Sequence, residues 1–326
     1  MPAPPSPLRI LVVDDEPMLR SVIEEFLAIL GYTQHFMAGN GRQALDVLRN
    51  HPIDCILSDI RMPELELEEM LGIVRKEWPD LVVIATSGYS DMESAANIIG
   101  KGAADFLGKP LNLDALEAAL KWVSWRRDVL ARIAADGPSV DWLTEALDSA
   151  PVFTDKMRHA RRVGRLLEEL ETGLSPENKE ILAQAALLHE LGMCYQIHSL
   201  CAQPRALADN EQALVRASSS IAGHMVSAAL GRRDLETVIT RHMHWQAITD
   251  RQIGDEPLLG AAVWLGLANS VIGCTSERPD RPAIKLGRVR ESLERRLRQD
   301  PTGPLRSLLD QWATVERVVG QDVSPN

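Results

Sequence analysis

Three acids, a hydroxyl and a lysine are the residues of this sequence that could do chemistry together. Asp14 and Asp15 follow the apolar run Leu8 to Val13, and Asp59 follows Ile53 to Ser58. Ser87 follows Leu81 to Thr86, and Lys109 comes just after Ala104 to Leu107. Clustered carboxylates offer the hard oxygen donors that Mg²⁺ takes, with waters completing the shell. A metal held there offsets repulsion among the acids and the charge that builds on phosphoryl oxygens. A carboxylate can also attack phosphorus and become an aspartyl phosphate, and Asp59 is the candidate acceptor. Lys109 can pair with Asp59 or its phosphate as a point charge, and Ser87 can donate its hydroxyl to a phosphate oxygen. Taken alone, Asp59 reads as a residue that closes a strand and opens a turn. Its partners decide the matter. Pro110, directly after Lys109, marks a place for a cis bond that aims the lysine.

Those residues need elements to position them. Each apolar run reads as a buried strand, and Tyr32 to Met37 supplies a further one. Between the strands lie helical patterns: Met18 to Leu30 opened by Pro17, Gly41 to Asn50, Glu64 to Glu77, and Asp91 to Gly100. Asn112 opens a last helix that runs to about Ala135 and stops at Asp136-Gly137-Pro138. Strict alternation of strand and helix predicts a doubly wound, five-stranded parallel sheet covered on both faces. In such a sheet ligands gather beyond the carboxyl ends of the strands. Asp14, Asp15, Asp59, Ser87 and Lys109 all fall at those ends.

The segments Val13-Asp14-Asp15-Glu16, Ser58-Asp59-Ile60-Arg61-Met62-Pro63, Thr86-Ser87-Gly88-Tyr89 and Lys109-Pro110 resemble the receiver domain of two-component response regulators. The resemblance implies a flavodoxin-like α/β fold over residues 8–119 and phosphotransfer to Asp59 from a sensor histidine kinase. It implies Mg²⁺ on Asp14, Asp15, Asp59 and the Arg61 backbone carbonyl, phosphate sensing by Ser87 and Lys109, and an aromatic switch at Phe106. One departure stands out. The family's glycine-rich turn ending in Asp-Gly is here Glu64-Leu65-Glu66-Leu67-Glu68-Glu69, which predicts altered metal affinity or phosphate lifetime.

Beyond a linking helix at 120–138, the strand signal disappears. Residues 139–326 read as an all-α domain: Trp142 to Leu147, Thr154 to Glu171, Pro176 to Leu191, Asn210 to Leu230, Leu235 to His244, Pro257 to Ile272, Leu286 to Gln299 and Pro304 to Val319. Asp155, His159, His189, Glu190, His242, His244 and Asn269 interrupt these helices with groups that could hold a transition metal. The bland alternative is a set of satisfied core and surface polar groups.

The order of Asp155 to Val163, Gly173 to Glu177, Ala185 to Gly192 and Ser276 to Pro279 resembles the HD-GYP family of metal-dependent cyclic di-GMP phosphodiesterases. The resemblance implies an HD-type helical fold. The ligand set departs from it. Glu190 stands for an Asp, Met193 for a lysine, Ser219 for a histidine, Met243 for the second of a His-His pair, and Asn269 for the last Asp. The Gly-Tyr-Pro motif is absent. Loss of anionic ligands predicts a fold kept without hydrolysis, acting through a protein partner or homodimer. A phosphodiesterase with an unusual metal site, rescued by His224 and His244, and a cyclic di-GMP sensor are the alternatives.

The bulk numbers agree with a protein of this kind. The 326 residues suit two domains, and 45% hydrophobic with 25% charged residues suits a soluble globular chain. A net charge of -11 argues against nucleic-acid binding. Cys55, Cys194, Cys201 and Cys274 form no CxxC pair and read as reduced core residues. Met1 to Pro7 lacks the features of a signal peptide, and Leu258 to Gly273 reads as a buried helix and not a membrane span. The expected location is the cytoplasm.

Overall fold

The computed structural model describes residues 7–88, 92–137, 139–149, 154–192, 207–277, 282–299 and 302–321. Tyr89, Met193, Cys194, Cys201, Arg278, Pro279 and the Met1 to Ser6 lead lie outside those residues. The rest divides into two compact units. Among the described residues, the first takes in 7–137 and 208–221, and the second 139–192, 207 and 222–321. Residues 208–221 had been expected with the helical domain.

The first unit alternates as its sequence predicts: β1 (Arg9–Val13), α1 (Pro17–Ile29), β2 (Gln34–Ala38), α2 (Gly41–Asn50), β3 (Cys55–Asp59), α3 (Leu67–Glu77), β4 (Val82–Gly88), α4 (Met92–Gly100), β5 (Asp105–Lys109) and α5 (Leu113–Asp136). All strand pairs are parallel, in the order β2-β1-β3-β4-β5. Ile10 to Val13, Cys55 to Leu57 and Val82 to Ala85 are buried in unbroken runs, as a sheet covered on both faces requires. Arg9 ties the start of β1 to Asp54 through its backbone N–H and two guanidinium bonds of 2.8 to 3.0 Å, which sets the register of β1 on β3.

Local chemistry fixes the turns nearest the strand ends. Asn40 caps α2, its side chain accepting from the Gln43 N–H at 2.9 Å, while its amide donates to Glu64 at 3.1 Å. Glu64 has φ +66°, a left-handed conformation costly to a residue with a Cβ. That conformation stops the chain from turning directly into helix, so α3 starts at Leu67 and not at Glu64. Gly41 lies against this turn. A Cβ there would sit 2.5 Å from the Leu65 carbonyl oxygen.

The second unit is helical throughout its described residues. It includes α6 (Val140–Ser149), α7 (Thr154–Glu168), α8 (Pro176–Leu188), and helices over Arg233–Arg241, Leu258–Thr275 and Leu286–Gln299. Ser175 caps α8 and Pro176 occupies its first turn. Several expected bounds move. The helices expected to reach Leu191 and His244 give way to 3₁₀ turns at His189–Gly192 and His242–Ala247. The expected helix Pro304 to Val319 breaks at Gln311 into Gly303–Asp310 and Trp312–Gln321. Asp250–Asp255, where no helix was expected, is one turn closed by a Thr249 and Gln252 capping box. Among the described residues only Leu258–Thr275 is long and apolar enough to cross a membrane, and it is the buried centre of the unit. Gly266 on this helix admits the 3₁₀ turn, since a Cβ there would lie 2.4 Å from both the His242 carbonyl and the Trp245 ring.

Gly41→Ala and Gly266→Ala each force backbone apart at a close contact. Each is expected to destabilise its unit by about 1 to 3 kcal/mol, read as a lower urea midpoint with an unchanged slope.

Candidate functional site

Val13, Asp59 and Lys109 end β1, β3 and β5, so the parallel register carries Asp14, Asp59 and Lys109 to one edge of the sheet. Asp14 is 1% exposed. Its Oδ1 accepts from the Glu16 N–H at 2.9 Å and its Oδ2 from Lys109 Nζ at 3.0 Å. Asp59 accepts from the Ile60 N–H at 2.8 Å through Oδ1, and Lys109 Nζ lies 2.9 Å from its Oδ2. One lysine therefore bridges two carboxylates. Asp15, exposed beside them, completes a trio whose oxygens lie within 4.8 Å of one another. The Lys109–Pro110 bond is cis, as expected.

The electrostatics follow from burial and charge. Burial raises the Asp59 carboxyl above its ordinary value, and Asp14 adds to the rise against the pull of Lys109. Burial works to lower Lys109, but its bonds to Asp59 and Asp14 outweigh it and the ammonium is held above its ordinary value. Three acids against one cation leave negative charge to be offset. The donor set is all oxygen, which fits Mg²⁺. Asp14, Asp15 and Asp59 would hold it.

The other expected positions lie on or just after β3, β4 and β5. Ser87 pairs with Gly108 across the sheet, is 3% exposed, and donates to the Gly88 carbonyl at 3.1 Å. Phe106 is packed inside at 1% exposure. Arg61 lies two residues past Asp59 with its guanidinium 3.7 Å from Glu66. The acids of the unusual turn face partners of their own: Glu64 faces Asn40 and Arg42, and Glu68 faces Lys101 and Asn97.

In the second unit, α7, α8 with its 3₁₀ extension, the His242 turn and the Leu258–Thr275 helix bring five of the seven expected groups together. His159, His189 and Glu190 each offer a ligand atom within 4.8 Å of the others. His159 Nε2 is 2.8 Å from Asn269 Oδ1, and the Asn269 amide nitrogen is 3.3 Å from His242 Nε2. His242 Nδ1 donates to the Ile239 carbonyl, which leaves its Nε2 as the acceptor. His189 Nδ1 donates to the Ala186 carbonyl at 2.8 Å, so its Nε2 presents a lone pair. That Nε2 is buried and has no hydrogen-bond partner.

Two expected members do not join. Asp155 is exposed and pairs with Arg158 at 2.8 Å, because its position on α7 faces solvent. His244 is exposed where the 3₁₀ turn loses helical geometry. His224, offered as a rescue ligand, is exposed near Glu236. Ser219 is buried and donates to its own helix at the Arg216 carbonyl. The sequence reading missed Lys156, whose Nζ lies 3.7 Å from Glu190 Oε2. Its spacing three residues before His159 on one helix was the available signal.

Burial dominates the charge states here. It drives His159 down to about 4 and His242 to about 3. Burial opposes ionisation of Glu190, but Lys156 and the neighbouring imidazoles prevail and hold it well below the ordinary carboxylate range.

Comparison with known proteins places these observations. The family model of the response regulator receiver domain matches residues 10–121. The DNA-binding transcriptional regulator NtrC of Escherichia coli is 30% identical over 76% of this chain and 51% of its own length. The chain thus spans about half the length of such curated relatives. A cyclic di-GMP phosphodiesterase of Thermotoga maritima is 24% identical over 89% of this chain and 87% of that protein. A response regulator receiver domain protein of Clostridium thermocellum, solved as a crystal structure, is 28% identical over 38% of this chain and 98% of its own, with a TM-score of 0.36.

The depressed histidines set a pH dependence for the metal-stripped protein. Unfolded, both take protons near pH 6.5; folded, His159 does so only near 4 and His242 near 3. The unfolded chain binds more protons between those limits, so stability of the second unit is full above about pH 6.5 and falls as pH drops toward 4. His159 alone accounts for on the order of 3 kcal/mol. Calorimetric melts from pH 8 to 4.5 should show the decline, and His159→Gln should roughly halve it, leaving the share that His242 contributes.

Proposed function

With residues 10–121 forming a response-regulator receiver domain, we propose that the chain accepts a phosphoryl group on Asp59 and uses it to control a non-hydrolysing, HD-GYP-like output. The observation that supports this best is the single Lys109 ammonium lying against both Asp14 and Asp59. It holds the acceptor carboxylate beside two further acids while leaving it 13% exposed to a donor. The donor is a sensor histidine kinase in the cytoplasm. An Asp59 oxygen attacks phosphorus, the P–N bond of a phosphohistidine breaks, and the imidazole leaves with the bonding pair. Mg²⁺, when bound, neutralises charge on the transferring phosphoryl oxygens. Lys109 follows the new phosphate as a fixed positive charge, and Ser87 exchanges its Gly88 carbonyl for a phosphate oxygen. Phe106 and the helix after β5 carry the change onward.

The output reading draws on the likeness to the phosphodiesterase together with the substitutions at its ligand positions. Ser219, Met243 and Asn269 stand where the likeness places imidazole or anionic ligands, and Glu190 where it places the shorter Asp, which weakens the hold on a hydrolytic centre. Such an output acts by docking a protein partner or a second copy. The second reading, a cyclic di-GMP phosphodiesterase, draws on the gathering of His159, His189 and Glu190. A sensor that binds the dinucleotide without cutting it is its milder form.

Radiolabelled phosphoramidate with Mg²⁺ should label wild type in an acid-stable, hydroxylamine-sensitive linkage. Asp59→Asn should take up none, and Lys109→Ala should lose more than about tenfold in rate, the weight of one stabilising charge. Absence of label on wild type sinks the receiver reading. Cyclic di-GMP should remain uncut with Mn²⁺ or Fe²⁺ present; linear product at stoichiometric metal would favour the second reading.

A further inference from the structure

Glu190 in the second unit has two faces. Its Oε1 looks toward imidazoles, 3.4 Å from His189 Nε2 and 3.8 Å from His159 Nε2. Its Oε2 looks toward Lys156 Nζ at 3.7 Å. The imidazole separations are long for hydrogen bonds. They suit donors sharing one ion: ligands at about 2.1 Å in a tetrahedral array stand roughly 3.4 Å apart. The orphaned His189 Nε2, on a side chain 1% exposed, points into the same space. An imidazole nitrogen and a carboxylate oxygen that face each other in a buried space are satisfied by a positive centre between them, which a metal ion supplies.

We infer that Lys156 acts as the built-in second cation of this site, so that His159 Nε2, His189 Nε2 and Glu190 Oε1 take one divalent transition metal and no more. A second metal bridged by Glu190 would have to take Oε2, the oxygen that the Lys156 ammonium faces. Its stem lies on α7 three residues before His159, and its side chain is 18% exposed, so the charge is fixed and poorly screened. The same charge repels the first metal and draws electron density from the carboxylate. Coordination at His159 Nε2 places that ring's proton on Nδ1 and releases Asn269 Oδ1 from its present bond. Lys156 is therefore a positioning residue: it limits metal number and sets affinity without being a ligand. A charge at this range shifts a binding equilibrium by about ten- to a thousandfold.

Cobalt(II) titration of the chelator-stripped full chain tests this, because visible absorption separates imidazole ligation from the all-oxygen site of the first unit. Wild type should gain one equivalent of nitrogen-ligated cobalt, and His189→Gln none. Lys156→Gln should bind at least about tenfold tighter or admit a second equivalent, and Lys156→Arg should return to wild-type behaviour. Lys156→Met, of similar length, replaces the glutamine variant if melting shows that variant unfolded. Wild type without the nitrogen-ligated spectrum overturns the inference, as does a neutral variant that binds one equivalent no tighter than wild type. Asp59 labelling in the same preparation reports on the receiver separately, so neither result is confused with failure of phosphoryl acceptance.

Discussion

Burying a carboxylate is unfavourable unless a positive partner comes with it. The first unit obeys this constraint through Lys109. Asp14 is almost wholly enclosed, and an unpaired charge there would disfavour the fold. The lysine stabilises Asp14 and reaches Asp59 at the same time, so the interaction that makes the pocket tolerable also places Asp59. Everything else in the unit serves that arrangement: the parallel register, the Arg9 to Asp54 tie, and the cap at Asn40.

The second unit meets the same constraint differently. Glu190 is held by Lys156 on one side and imidazoles on the other. Asn269, which carries no charge, supplies both a donor and an acceptor to two neutral histidines. The result is a buried polar network with little net charge, anchored on the most apolar helix of the chain. Gly266 makes it reachable by letting the His242 turn come against that helix.

Much of the first unit was legible in sequence. Buried parallel strands read as unbroken apolar runs, and a polar residue ending each run marks a strand's carboxyl end. Asp14, Asp59, Ser87 and Lys109 could be placed on one edge without coordinates. The start of α3 could not, because Glu64 takes a left-handed conformation through a bond to a residue 24 positions away. In the second unit the histidines were visible as interruptions of apolar helices, and five of the seven expected groups meet. Asp155 and His244 were misplaced because i,i+4 spacing and near neighbours say which residues share a face, not which face is buried. Lys156 was passed over since a lysine on a helix normally points to water; only a buried carboxylate on another helix turns it inward.

The bond between Asn40 and Glu64 carries an evolutionary consequence. Asn40 serves two masters, the first turn of α2 and the bend after β3, and Glu64 occupies a bend that glycine would enter more easily. A change at 64 to glycine would ease the bend and strand the asparagine amide; a change at 40 would uncap the helix and free the glutamate. Neither position can drift alone without loss. The two should have been inherited as a pair, and that coupling gives this acidic turn a reason to persist in a lineage whatever its acids do at the strand ends.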